Sequence, residues 1–213
     1  YINISTSVND GMNWYFKTKE KYYDPTTNQT IEDVSDAFSH FGITQSYSFG
    51  ASMDTRLYGM LQFKKGSRIE AIRHVVKPSI SFNYTPNQRT HANGWREYQS
   101  GPSINDIKEY NIYDNQAYSV PSSMQSGSIS FSLGNTLEMK VRDLKDTTNA
   151  NATKKISILD NLNFSTSYNL LADSLNLSDI NVTGSTNILG KLGLNFGARF
   201  DHYAVGSEGQ KIN

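Results

Sequence analysis

The sequence predicts an all-β protein, a partial transmembrane antiparallel β-barrel contributing about seven long strands to a larger wall. Three observations predict it. From Gln45 to Phe63, apolar and polar residues alternate over almost twenty positions, about three times the length of a typical soluble strand. Hydrophobic residues are only 37% of the 213, yet 13 Tyr and 10 Phe raise the aromatic share to 12%. That is too apolar-poor for an ordinary core and too aromatic for a disordered chain, whereas a wall with one greasy and one wet face accommodates both. No apolar run approaches the roughly 18 residues of a membrane helix, and barrel strands do not need one.

The first strand runs from Tyr1 to about Lys19, with Ile2, Ile4, Val8, Met12, Trp14 and Phe16 sharing a face. Asn9-Asp10-Gly11 in its middle suits a bulge or bend. Tyr23-Asp24-Pro25-Thr26-Thr27-Asn28 signals a turn that opens a loop reaching about Phe41. In the second strand, Gln45, Tyr47, Phe49, Ala51, Met53, Thr55, Leu57, Gly59, Leu61 and Phe63 form the apolar face. Asp54, Arg56 and small polar residues form the other, with Met60 the exception. Lys64-Lys65-Gly66-Ser67 turns the chain back.

The third strand, Ile72 to Tyr84, sets His74, Val76, Pro78, Ile80, Phe82 and Tyr84 against Arg73, Lys77, Ser79, Ser81 and Asn83, with Val75 the exception. Pro78 has no N–H for a ladder, so it marks a weak point in the strand or a place where the wall opens, the weak point being the plainer reading. Thr85 to about Gln125 is the longest irregular stretch, suspect in a compact soluble domain but ordinary as an outer loop of a barrel. The fourth strand alternates Ile129, Phe131, Leu133, Leu137, Met139 and Val141 with Ser128, Ser130, Ser132, Thr136, Glu138, Lys140 and Arg142. After a polar connection, Asp143 to about Lys155, the fifth strand aligns Leu162, Phe164, Thr166, Tyr168 and Leu170. A turn near Asp173-Ser174 leads to the sixth, with Ile180, Val182, Thr186 and Ile188. Gly190-Lys191 makes a hairpin into the seventh, with Leu192, Leu194, Phe196, Ala198 and Phe200, before Gly206-Ser207-Glu208-Gly209 turns again.

Short connections at 64–71 and 190–191 fall on one side of this pattern, and long loops at about 22–42 and 85–125 on the other, as outer-membrane barrels arrange them. The 143–155 connection is long for the short-turn side. Residues 1–213 then form part of one barrel domain of a longer exported protein, its targeting peptide and closing strands lying elsewhere.

Lys plus Arg and Asp plus Glu both number 20, so there is no basic excess for nucleic acid. Without cysteine there are no disulfides or thiolate sites. His40, His74, His91 and His202 have no metal-ligand spacing, and no GxxxxGK[ST] loop occurs, so neither catalysis, metal nor cofactor is expected. The charges assigned to a hydrated lumen are Asp54, Arg56, Lys77, Glu138, Lys140, Arg142, Arg199 and Asp201; their mixed signs favour neither an anion nor a cation channel. A porin or substrate-specific uptake barrel and a surface adhesin or structural β protein are the alternatives.

Particular stretches carry a resemblance. Leu57-Tyr58-Gly59-Met60-Leu61-Gln62-Phe63-Lys64-Lys65-Gly66 followed by Ile72-Arg73-His74-Val75-Val76-Lys77-Pro78-Ser79-Ile80-Ser81-Phe82-Asn83-Tyr84 resembles the outer-membrane lipopolysaccharide-assembly family LptD in its Bacteroidetes-type form. Trp14-Tyr15-Phe16-Lys17, Tyr22-Tyr23-Asp24-Pro25, Leu137-Glu138-Met139-Lys140-Val141-Arg142, 159–169 and 172–177 are similar. The resemblance implies a large barrel in the cell outer membrane, plugged by an LptE-like lipoprotein and fed lipopolysaccharide by periplasmic Lpt bridge components. It implies lateral release of lipid through a seam outside this segment, with sugars crossing the lumen. The disulfides of such relatives have no counterpart in a chain without cysteine.

Overall fold

A computed structural model describes residues 1–36, 38–64, 67–143, 152–188, 192–207 and 209–212. Its described residues form β-strands and no helix. In chain order the strands are β1 (Ile2–Tyr15), β2 (Lys19–Asp24), β3 (Gln29–Val34), β4 (Gly42–Thr55), β5 (Leu57–Gln62), β6 (Ile69–Thr85), β7 (Trp95–Gln99) and β8 (Ile107–Asn111). There follow β9 (Ser126–Arg142), β10 (Thr153–Asn169), β11 (Ile180–Ile188), β12 (Leu192–Phe200), β13 (Ala204–Val205) and β14 (Lys211–Ile212). The long ones hydrogen-bond in the order β1-β4-β6-β9-β10-β11-β12, and β5 also pairs with β6. The sheet is antiparallel at β5–β6 and from β9 to β12. Among the described residues β1 and β12 are its edges and it is not closed.

The chain divides into two units, one of Tyr1–Thr6, Gly50–Asn83 and Gly127–Asn213, the other of Ser7–Phe49 and Tyr84–Ser126. In the first, the period-two pattern survives as register. Leu133 faces Phe164 and Ile129 faces Tyr168 across β9–β10, Phe164 faces Val182 across β10–β11, and Ile180 faces Phe200 across β11–β12. Phe131, Phe164, Leu194 and Phe196 on this face are all exposed, a continuous apolar surface that a soluble monomer would bury. The opposite face pairs Ser132 with Ser165 and Ser130 with Ser167. Gly184 sits opposite Phe196, whose ring occupies the space a Cβ at 184 would take; the aromatic covers backbone that glycine leaves bare.

Two features depart from simple alternation. Between Ile156↔Met139 and Leu162↔Asn135, β10 takes six steps to four on β9, with register shifts on either side of Leu159. Such bulges leave backbone groups out of the ladder. Here hydroxyls and an amide reach them: Thr186 Oγ1 donates to the Ile158 carbonyl at 2.8 Å, Thr136 Oγ1 to Asp160 at 3.3 Å and Asn135 Nδ2 to Leu162 at 3.2 Å.

The other departure is that the expected single strand Gln45–Phe63 is two, β4 and β5, interrupted at Arg56. The β5–β6 register pairs Leu57 with Val76, and one and two further steps set Arg56 opposite Lys77 and Thr55 opposite Pro78. Proline has no N–H to give the neighbouring strand, so the ladder fails beside it. β6 itself runs unbroken through Pro78; the interruption falls on the neighbouring strand.

In the second unit the loops carry structure of their own. The loop expected to open at Tyr22 is instead largely a hairpin that begins earlier, β2–β3, paired from Lys19↔Val34 to Asp24↔Gln29. Its turn is where Pro25 and Asn28 place it: the Asp24 carboxylate accepts from Thr26 N at 2.8 Å and Thr27 Oγ1 at 2.9 Å, and Asn28 takes a left-handed φ of 56°. The expected irregular stretch 85–125 holds a second hairpin, β7–β8, paired from Trp95↔Asn111 to Gln99↔Ile107. The first strand ends at Tyr15 rather than Lys19, and Asn9-Asp10-Gly11 is regular strand without a bend.

Buried polar groups tie this unit together. The Asn93 amide accepts from Gln45 N at 2.8 Å and donates to Gln45 O at 2.9 Å, so a side chain pairs with β4 as a strand would. Asn111 Nδ2 donates to Asn93 O at 2.8 Å and its Oδ1 accepts from Tyr113 N at 2.9 Å. Tyr113 stacks on Tyr15 with centroids 4.6 Å apart, both rings buried. Lys65-Gly66, 144–151 of the 143–155 connection, Gly190-Lys191 and Glu208, expected in turns, lie outside the described residues.

Candidate functional site

On β6, β9 and β10 the polar face carries paired charges. Arg73 Nε donates to Glu138 Oε2 at 3.1 Å, and Lys140 Nζ lies 3.1 Å from Glu70 Oε2. These groups line a cleft of about 630 Å³ that also includes Met60, Lys64 and Lys155. Register explains the company of all but Glu70, which has the parity of Ile72 and His74 on β6 and reaches Lys140 at the strand end. Lys140 pairs with Lys155 across β9–β10 and Met60 with Arg73 across β5–β6. The two apolar exceptions of the polar face are neighbours here: Tyr58 faces Val75 two residues from Met60, and Val75 is buried while both others are exposed.

The remaining expected lumen charges are dispersed. Asp54 accepts from Asn3 Nδ2 at 3.1 Å. Arg56 stands at the β4–β5 break, and Lys77 lies beside Gly134. Arg142 donates its backbone N–H to Arg68 O at 3.0 Å, and among the described residues its buried Nε has no hydrogen-bond partner. Glu138 and Lys140 are thus brought together, while Asp54, Arg56, Lys77 and Arg142 join no cluster among the described residues. Alternation extended back from Ile72 puts Glu70 on the apolar face, so its contact with Lys140 is visible only in the structure.

Arg199 and Asp201 meet through two residues that alternation cannot reveal. Asp179 precedes β11, and its carboxylate accepts from Arg199 Nε and, at 3.2 Å, from Lys211 Nζ. Lys211 Nζ also lies 2.7 Å from Asp201 Oδ2. Tyr203, whose hydroxyl accepts from Leu177 N at 2.8 Å, has its ring 5.9 Å from Lys211 Nζ. The four charges clasp the short β13–β14 pair to the ends of β11 and β12.

The Arg199 and Lys211 hydrogen bonds hold Asp179 below the ordinary carboxylate range, Lys211 and the Tyr203 N–H do the same for Asp201, and the two carboxylates raise Lys211. Depressed carboxylates contribute fully above the unfolded aspartate value, about 4, and lose that contribution as pH falls through their folded values. A raised lysine contributes fully below its unfolded value, about 10.4, and loses it as pH rises further. Hydrogen-exchange protection of the β13–β14 amides is therefore expected to hold through neutral pH and to fall below about pH 4. Unchanged relative protection down to about pH 2, after correction for intrinsic exchange, would remove the clasp from the account.

The histidines His40, His74 and His202 each have a neighbouring side chain. Ser39 Oγ donates to Asp36 O at 2.6 Å and lies 3.0 Å from His40 Nδ1. His74 Nε2 contacts Asn135 Oδ1 at 3.1 Å, and the His202 ring lies against Tyr203. Trp95 is a packing residue of its hairpin, donating to Pro121 O at 2.8 Å beneath the Arg89 guanidinium.

Compared with known proteins, residues 1–203 match the family model described as LptD protein. No curated protein and no solved structure matches the chain.

Proposed function

Since the chain belongs to the LptD family, we propose that its long strands are staves of an outer-membrane barrel that delivers lipopolysaccharide to the outer leaflet. Residues 1–213 are part of one barrel domain with outer loops at about 22–42 and 85–125; β7–β8 lies within the second, and β2–β3 begins at Lys19, ahead of the first. The polar face turns to the lumen and the apolar face to lipid. The single observation that carries this reading is the two-faced register of β9 to β12, exposed aromatics on one side and polar pairs, serine with serine across β9–β10, on the other.

The chemistry asked of such a wall is passive. Sugars and phosphates lose water unless hydrogen-bonding groups replace it, and the serines, asparagines and ion pairs of the polar face supply them. Acyl chains need an apolar route, provided by lateral opening at a seam elsewhere in the barrel. No step requires a nucleophile or a metal. An LptE-like lipoprotein in the lumen and a periplasmic bridge complete the pathway.

Depletion of the full-length protein is expected to lower surface lipopolysaccharide severalfold, restored by complementation. Normal surface lipopolysaccharide with reduced uptake of small solutes would instead make this a porin or uptake barrel.

A further inference from the structure

The cleft beside β5, β6, β9 and β10 holds more positive charge than its ion pairs consume. Lys64, Arg73, Lys140 and Lys155 line it against Glu70 and Glu138, a surplus of two cations. Arg73 and Lys140 are the paired ones. Lys64 and Lys155 are exposed, and among the described residues neither makes an ion pair. Met60 stands beside them, 62% exposed although it belongs to the polar face.

An open cleft of this size is within the range of small-molecule sites. Two uncommitted ammonium groups match a phosphate monoester, which carries close to two negative charges at neutral pH. The paired Arg73 and Lys140 have donors beyond those their glutamates use. Met60 adds flexible, polarizable surface for an apolar or sugar portion attached to that phosphate. A neutral sugar would leave the surplus charge unanswered.

We propose that the Lys64–Lys155 cleft is a phosphate subsite for the phosphorylated sugar headgroup of the glycolipid in transit. This deepens the export reading and rests on it. Lys64 and Lys155 hold the phosphate, Arg73 and Lys140 border it while anchored by Glu138 and Glu70, and Met60 contacts the attached ring.

The test uses the full-length protein in detergent micelles, with a bisphosphorylated diglucosamine lipid, its dephosphorylated counterpart and inorganic phosphate as probes. The double variant Lys64→Gln/Lys155→Gln is expected to bind the phosphorylated lipid about tenfold more weakly, with binding of the dephosphorylated lipid unchanged. Lys64→Arg/Lys155→Arg is expected to keep most of the affinity, and the wild-type advantage for the phosphorylated lipid should shrink at high salt. Equal wild-type binding of both lipids, or no loss in the glutamine variant, overturns the subsite. Inorganic phosphate binding as tightly as the lipid overturns its assignment to a headgroup. Loss of a co-purifying acidic protein with lipid binding unchanged overturns it in favour of a protein dock. Surface lipopolysaccharide after depletion is read separately: normal levels defeat the export reading itself, whereas an unaltered glutamine variant defeats only the subsite.

Discussion

Gly42→Ala is expected to cost about 3 kcal/mol of local stability in the unit formed by Ser7–Phe49 and Tyr84–Ser126. A Cβ at 42 would lie 2.0 Å from Tyr113 Oη and 2.4 Å from its Cζ. The ring has little room to yield. Tyr15 is stacked on it, Gly94 approaches its other edge so closely that a Cβ there would lie 2.7 Å from Cε2, and Asn111 holds the Tyr113 backbone. Expelling the ring would also uncover Tyr15, which is 2% exposed. Hydrogen exchange at the β2–β3 and β7–β8 amides measures the loss. The same substitution on a Tyr113→Leu background should cost much less, because the clashing atoms are gone. Equal costs in both backgrounds would refute the contact as the cause.

Thr186→Val is expected to destabilise the β10–β11 region by about 2 kcal/mol, although it exchanges a hydroxyl for a methyl of similar size. The hydroxyl donates to the Ile158 carbonyl, at a position where the β9–β10 register skips. Thr186 shares its face with Leu194 and the apolar residues of β11 and β12, the face proposed to meet lipid. No water replaces a lost donor there, and an unsatisfied carbonyl in hydrocarbon costs several kcal/mol. Thr186→Ser should recover most of the stability. Denaturant unfolding in micelles reads the difference, and a valine variant as stable as the wild type would show that the bulge needs no hydroxyl.

What was legible in the sequence is what repeats every second residue. The seven long strands, the faces of Leu133, Phe164 and Phe196, and the odd positions of Met60, Val75 and Pro78 all follow from period two. The β2–β3 and β7–β8 hairpins were not legible because Lys19–Asp24 and Trp95–Gln99 show no clean apolar alternation, their shape being set by turn chemistry and by Asn93. Of the expected lumen charges, Glu138 and Lys140 do cluster, but their partners come from strand neighbours that only register reveals. Asp179 and Lys211, separated by more than thirty positions, converge because a hairpin and a short strand pair fold back on the same strand ends. The break at Arg56 falls inside an unbroken alternation from Gln45 to Phe63, which gives no sign of it.

The skipped register between β9 and β10 has a geometric consequence beyond the hydrogen bonds it disturbs. Closing a sheet into a cylinder requires each strand to slide along its neighbour, and the total slide fixes strand tilt and diameter. The two residues by which β10 outruns β9 are a local contribution to that slide. In the proposed barrel, part of the aperture is therefore encoded in two surplus residues around Leu159, directly beyond the strand positions that carry Glu138, Lys140 and Lys155.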